Sequence, residues 1–154
     1  DAGMHLSNGF RAVLLNGITN PQNVGMIIRS CCAAGVNAIF YPKRSVATLG
    51  PLVIKSSAGI LFNAPIVQCE DARLTAQSLQ ERGFDIAVLD SHARKSLFDF
   101  APIKPTVYVL GGETIGVDKE IKNAANVSLR IPMRNNVESL NVAATAALVA
   151  FYAN

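Results

Sequence analysis

Three polar clusters in the chain have residue types that bind anions, admit a ligand against bare backbone, or assist proton transfer. The first reads Asn20-Pro21-Gln22-Asn23-Val24-Gly25-Met26-Ile27-Ile28-Arg29. Asn20 suits a helix cap and Pro21 the first helical position, so Asn23 falls in the first turn, where free N–H groups and the positive end of the dipole favour anions. Arg29 is flanked by residues of an apolar stripe and should leave from the stripe's edge. A guanidinium there either grips phosphate in two-pronged fashion, or reaches solvent or a carboxylate. The second cluster, Leu110-Gly111-Gly112-Glu113-Thr114-Ile115-Gly116, follows a strongly apolar strand, and its glycines let backbone approach a ligand closely. It is neither GxGxxG nor a P-loop, and no acid completes a dinucleotide fingerprint, which disfavours nicotinamide and P-loop enzymes. The third is Ile131-Pro132-Met133-Arg134-Asn135-Asn136-Val137-Glu138-Ser139-Leu140-Asn141. Ser139 or Asn141 can cap the helix that follows, but not both, and the other needs a backbone partner or a ligand.

Other candidates are weaker. His92 follows a strand end beside Ser91, but no third partner is visible, so a hydrolase triad is unsupported and a solvated loop histidine is expected. Cys31, Cys32 and Cys69 form no CxxC pair and lie near no histidine at ligand spacing. Reduced thiols in a cytoplasmic protein without a metal site are therefore expected.

The clusters must be positioned by regular elements. Short β-branched runs at Ala12–Leu15, Ala38–Tyr41, Pro65–Val67, Ile86–Leu89, Thr106–Leu110 and Val127–Leu129 alternate with helical patterns. Continuous apolar strands between helices predict an α/β fold, a mostly parallel sheet covered by helices on both faces. In such sheets ligands bind at the carboxyl ends of strands, which directs attention to the loops after Leu15, Leu110 and Leu129. The first helix should bury Val24, Ile27, Ile28 and Cys31 and stop at Gly35. A second is expected over about Leu49–Ser57 and a third over about Asp71–Arg82, with Leu74 and Leu79 facing inward and Gly83 ending it. A short fourth should follow Asp118. The last, about Leu140–Tyr152, is apolar on every side, so a second buried face and a homodimer built partly on it are expected.

Length and composition bound the answer. With 154 residues, half of them hydrophobic and 16% charged, the chain should form a single domain, residues 1–154. It starts at Asp1, so the catalytic domain of a longer protein is one expectation. A net charge of +3 permits an anionic partner without demanding one. The apolar stretch Val142–Ala153 is shorter than the ~18 residues needed to cross a bilayer, and no basic-then-apolar leader opens the chain. No membrane association is expected.

Taken together, the three clusters resemble the motifs of the SpoU/TrmH family of RNA ribose 2′-O-methyltransferases, in the SPOUT class. The N-P-x-N-x-G-x-x-x-R stretch is Asn20 to Arg29, the L-G-x-E-x-x-G stretch is Leu110 to Gly116, and the I-P-M followed by S-L-N stretch is Ile131 to Asn141. The likeness covers about Arg11 to Tyr152. It implies an S-adenosylmethionine-dependent enzyme acting on tRNA or rRNA, a homodimer that completes the active site, and a C-terminal trefoil knot, which the general rule on chain threading would not anticipate. It further implies a cofactor held by backbone around Leu110, Gly111, Ile131 and Leu140, with Leu89 near the adenine. The functional polar set it implies is Asn23, Arg29, Glu113, Ser139 and Asn141. Arg29 would clamp the ribose oxygen and adjacent phosphate, since a guanidinium is rarely neutral in proteins. Asn23 would orient Arg29 or the RNA backbone, Glu113 would position the loop and Arg29, and Ser139 and Asn141 would fix the third loop. The alternatives are methylation of a different RNA atom and a non-catalytic RNA-binding protein with a methyltransferase-derived fold.

Overall fold

Seven strands, β1 (Arg11–Asn16), β2 (Ala38–Pro42), β3 (Ile66–Cys69), β4 (Asp85–Leu89), β5 (Lys95–Ser96), β6 (Thr106–Gly111) and β7 (Val127–Arg130), form one sheet in the order β3-β2-β1-β6-β4-β7-β5. Every pairing is parallel. The computed structural model describes residues 9–44, 46–112 and 114–152. Side chains alternate across β1. Val13 and Leu15 join Ile39, Tyr108 and Leu110 in one core, while Ala12 and Leu14 join Phe40, Val107 and Val109 in the other. This period of two, with both faces apolar, is why the strands read as unbroken hydrophobic runs. Six of the strands fall where β-branched runs predict them, within a residue or two. The sequence carries no signal for β5, because two polar residues paired to Leu129 and Arg130 show no hydrophobic pattern.

Helices α1 (Pro21–Ala34), α2 (Pro51–Ser56), α3 (Ala72–Glu81), α4 (Lys119–Ala124) and α5 (Val142–Tyr152) complete the two outer layers, with single 3-10 turns at Ile60–Asn63 and Leu97–Asp99. In α1 the side chain of Asn20 accepts from the N–H groups of Gln22 and Asn23, and Gly35 ends the helix at φ 77°. Val24, Ile27, Ile28 and Cys31 are buried as expected. In α3 the buried residues are Ala72, Ala76 and Leu79, whereas Leu74 is 55% exposed, contrary to expectation. Leu74 lies two residues beyond Ala72, about 200° around the helix and so on the opposite face. Helix α2 is shorter at both ends than the pattern suggests.

Helix α5 begins at Val142 rather than Leu140, because Asn141 caps it: Asn141 Oδ1 accepts from Ala143 N–H at 2.8 Å. Within this chain α5 buries Val142, Ala143, Ala146, Val149 and Ala150 and leaves Leu148, Phe151 and Tyr152 exposed. Its C-terminal end is tied down twice. The buried Arg11 guanidinium donates to the carbonyls of Ala34 and Ala150, near the C-terminal ends of α1 and α5, where cations are favoured. Tyr152 donates to Phe98 O at 2.6 Å. Among the described residues no helix is long and apolar enough to cross a membrane.

Candidate functional site

From β1 the chain moves to β2 on one side, while from β6 it moves through α4 to β7 on the other, so the strand order reverses direction between β1 and β6. A crevice forms at the carboxyl ends of strands beside such a switch. Here it is a cavity of about 630 Å³, walled at the exits of β4, β6 and β7 by Leu89, Leu110, Gly111, Leu129 and Ile131, and by Leu140 and Val142 at the start of α5.

The glycines of the second cluster are required by close approaches. A Cβ on Gly111 would lie 2.2 Å from the backbone of Gly116 and Val117, and one on Gly112 would lie 2.4 Å from Gly17 O. Gly116 takes φ +75°, a left-handed value, and its N–H donates to Gly112 O at 2.8 Å to close the loop. The loop therefore folds back on itself and presents backbone to the cavity.

All five residues expected to hold a cofactor, Leu89, Leu110, Gly111, Ile131 and Leu140, line this cavity. Ser139 lines it too. Asn23 and Asn141 come together from elements far apart in sequence, with Asn141 Nδ2 donating to Asn23 Oδ1 at 3.2 Å. Asn23 is buried, and the contact joins the first turn of α1 to the cap of α5. Arg29 is exposed on α1, does not line the cavity of its own chain, and has no side-chain hydrogen bond or ion pair among the described residues. Glu113 lies outside the described residues.

Several lining residues had no signal strong enough to single them out. Asp90, directly after β4, accepts from His92 N–H at 3.0 Å and stands 3.7 Å from Lys122 Nζ, and both charged groups face the cavity together with Arg130 and Glu138. His92 itself is part of this lining. An acid at the end of a predicted strand was the available clue. Apolar walls accept a planar base, exposed loop backbone supplies donors and acceptors, and charges of both signs suit a zwitterionic amino-acid tail, so the site fits a nucleoside bearing an amino acid. Cysteine chemistry is disfavoured: burial pushes the Cys31 thiol up to about 12 and also raises those of Cys32 and Cys69, so nucleophilic thiolate is scarce. All three thiols are free.

The sequence model of the SpoU rRNA Methylase family matches residues 11–151. The chain is 34% identical over 137 residues to the 23S rRNA (guanosine-2'-O-)-methyltransferase RlmB of Pseudomonas aeruginosa, covering 89% of this chain and 55% of that protein. It is 33% identical over 141 residues to RlmB of Xylella fastidiosa, covering 92% and 57%. Among solved structures, the SpoU methyltransferase AviRb from Streptomyces viridochromogenes in complex with the cofactor AdoMet superposes with a TM-score of 0.87 at 28% identity, over 97% of this chain and 61% of that one. The AdoMet-bound rRNA methyltransferase from Sinorhizobium meliloti shares the fold, with a TM-score of 0.88 at 24% identity over 97% and 57% of the two chains. The chain thus spans a little over half the length of the curated relatives it matches. With the family's sequence model matched over residues 11–151, nearly the whole chain, the chain belongs to the SpoU rRNA Methylase family.

Proposed function

We propose that this domain transfers a methyl group from S-adenosylmethionine to a ribose 2′-hydroxyl of RNA. The observation that carries the reading is the cavity at the carboxyl ends of β4, β6 and β7, lined by Leu89, Leu110, Gly111, Ile131 and Leu140. When bound, S-adenosylmethionine supplies an electrophilic methyl on a sulfonium. The apolar residues would wall its base, the Gly111 backbone would offer hydrogen-bonding groups, and the charged groups Asp90, Lys122, Arg130 and Glu138 would be available to its amino-acid end. The Asn23–Asn141 contact holds the third loop against α1, and Ser139 stands at the cavity. Glu113 positions the loop of the second cluster, by likeness to the family motif.

A ribose hydroxyl is a weak nucleophile, so attack needs alignment, proton removal and a stabilised oxyanion. Arg29 serves as the electrostatic clamp on that oxygen and the neighbouring phosphate, and a phosphate oxygen or water takes the proton. Because Arg29 is exposed on α1 and off the cavity wall of its own chain, it acts on the cavity of a second copy. The same reading takes the protein as a homodimer, and the exposed Leu148 and Phe151 of α5 support placing that helix in the shared face. The chain path after β7, which lies between β4 and β5, is read as the family's trefoil knot. The RlmB relatives favour rRNA over tRNA as substrate, and the cytoplasm is the compartment proposed.

Titration with S-adenosylmethionine tests the reading directly: absence of binding would leave the RNA-binding, non-catalytic alternative. Arg29→Ala should keep donor affinity within about twofold and lower turnover on rRNA about 10²- to 10³-fold, the usual effect of removing an oxyanion stabiliser. Unchanged turnover would falsify the clamp.

A further inference from the structure

Asn16, the last residue of β1, is 4% exposed and was not singled out by any motif. Its side chain makes two bonds to one residue: Asn16 Nδ2 donates to Asp118 Oδ2 at 3.2 Å, and Asn16 Oδ1 accepts from the Asp118 N–H at 2.7 Å. Its backbone carbonyl accepts from Gly112 N–H at 3.0 Å. One residue therefore grips both ends of the loop that leaves β6, Gly112 at the entry and Asp118 at the exit. Between those ends, Thr114, Ile115, Gly116 and Val117 line the cavity.

We propose that Asn16 and Asp118 are positioning residues for the methyl-donor site, holding the cavity-wall backbone of this loop in its binding arrangement. The identity of the donor rests on the methyltransferase reading above; the ordering of the loop does not. The chemistry demands an amide at position 16, since only a side chain with a donor and an acceptor on one planar group satisfies both the carboxylate and the N–H of Asp118. A carboxylate at 16 would face another carboxylate. Asn16 and Asp118 make no bond to the nearby ion pair of Arg73 with Glu120, at 2.6 Å, although the Asp118 charge also acts on Arg73.

The test uses the full chain, with amide hydrogen exchange at Asp118 and Gly116 and calorimetric titration with S-adenosylmethionine. Asn16→Asp should speed exchange at both amides and weaken donor binding about tenfold or more, with donor KM rising more than kcat falls. The double variant Asn16→Asp, Asp118→Asn restores one acceptor pair and one donor, and should recover both readouts to within about threefold of wild type. Asp118→Ala, at an exposed position, gives the same weakening and replaces Asn16→Asp if that variant does not fold. Exchange and affinity unchanged in the single variants would overturn the proposal, as would a folded double variant as weak as Asn16→Asp alone. Should the wild type not bind S-adenosylmethionine, the methyltransferase reading falls, and the exchange rates alone decide whether the pair holds the loop.

Discussion

At the scale of single residues, the site depends most on atoms that are missing. Gly111 has no Cβ because one would sit 2.2 Å from backbone atoms of Gly116 and Val117, which cannot swing aside as a side chain would. Gly111→Ala should therefore displace the loop at about 1–3 kcal/mol, and titration should show donor affinity falling about tenfold to a hundredfold. A second residue-scale effect concerns pH. Burial raises Cys31 from 9.0 to about 12 and Tyr41 and Tyr108 from 10.0 to about 12. Each folded value lies above the unfolded one, so the neutral forms contribute stability fully below the unfolded values, and that contribution is lost as pH rises toward about 12. Urea midpoints should be level around neutrality and fall in alkaline buffer, and Cys31 should resist alkylation until the protein unfolds.

Among the elements, α1 organises the molecule. Its start was legible from Asn20 and Pro21 and its end from Gly35, because caps are local devices that a few adjacent residues specify. Its packing partner was not. Gly25 lies against α2, where a Cβ would meet Val53 O at 2.7 Å and Ser56 Oγ at 1.8 Å. Gly25→Ala should push the two helices apart and cost about 1–3 kcal/mol by urea denaturation, despite alanine's better helix propensity. The misplacement of Leu74 has a related cause. Two leucines in one short helix both read as core, but the sheet receives the stripe of Ala72, Ala76 and Leu79, and Leu74 falls on the far side. The choice between Ser139 and Asn141 as cap was likewise undecidable locally; Asn141 caps and reaches Asn23, while Ser139 is left at the cavity.

For the whole molecule, the prediction concerns assembly. Arg29 stands clear of its own cavity, and α5 shows Leu148, Phe151 and Tyr152 to solvent at 38%, 53% and 40%. Sedimentation at micromolar concentration should give twice the 16.4 kDa chain mass. Phe151→Asp should yield monomers that still bind the donor but no longer turn over, because the guanidinium then comes from no neighbour. A monomeric wild type with full activity would rule out the shared site.

What the sequence determined by itself was local: strand runs, caps, the three motifs, and through them the family and the residues that line the cavity. These depend on spacings of a few residues, which hydrophobic periodicity and backbone chemistry dictate. Only the tertiary structure decided that β7 lies between β4 and β5, that two polar residues make a seventh strand, that Arg29 is exposed and off the lining of its own cavity, and that Asn16 meets Asp118 across 102 positions. Such pairings arise from how strands are ordered in the sheet, and no short-range pattern in the chain encodes that order.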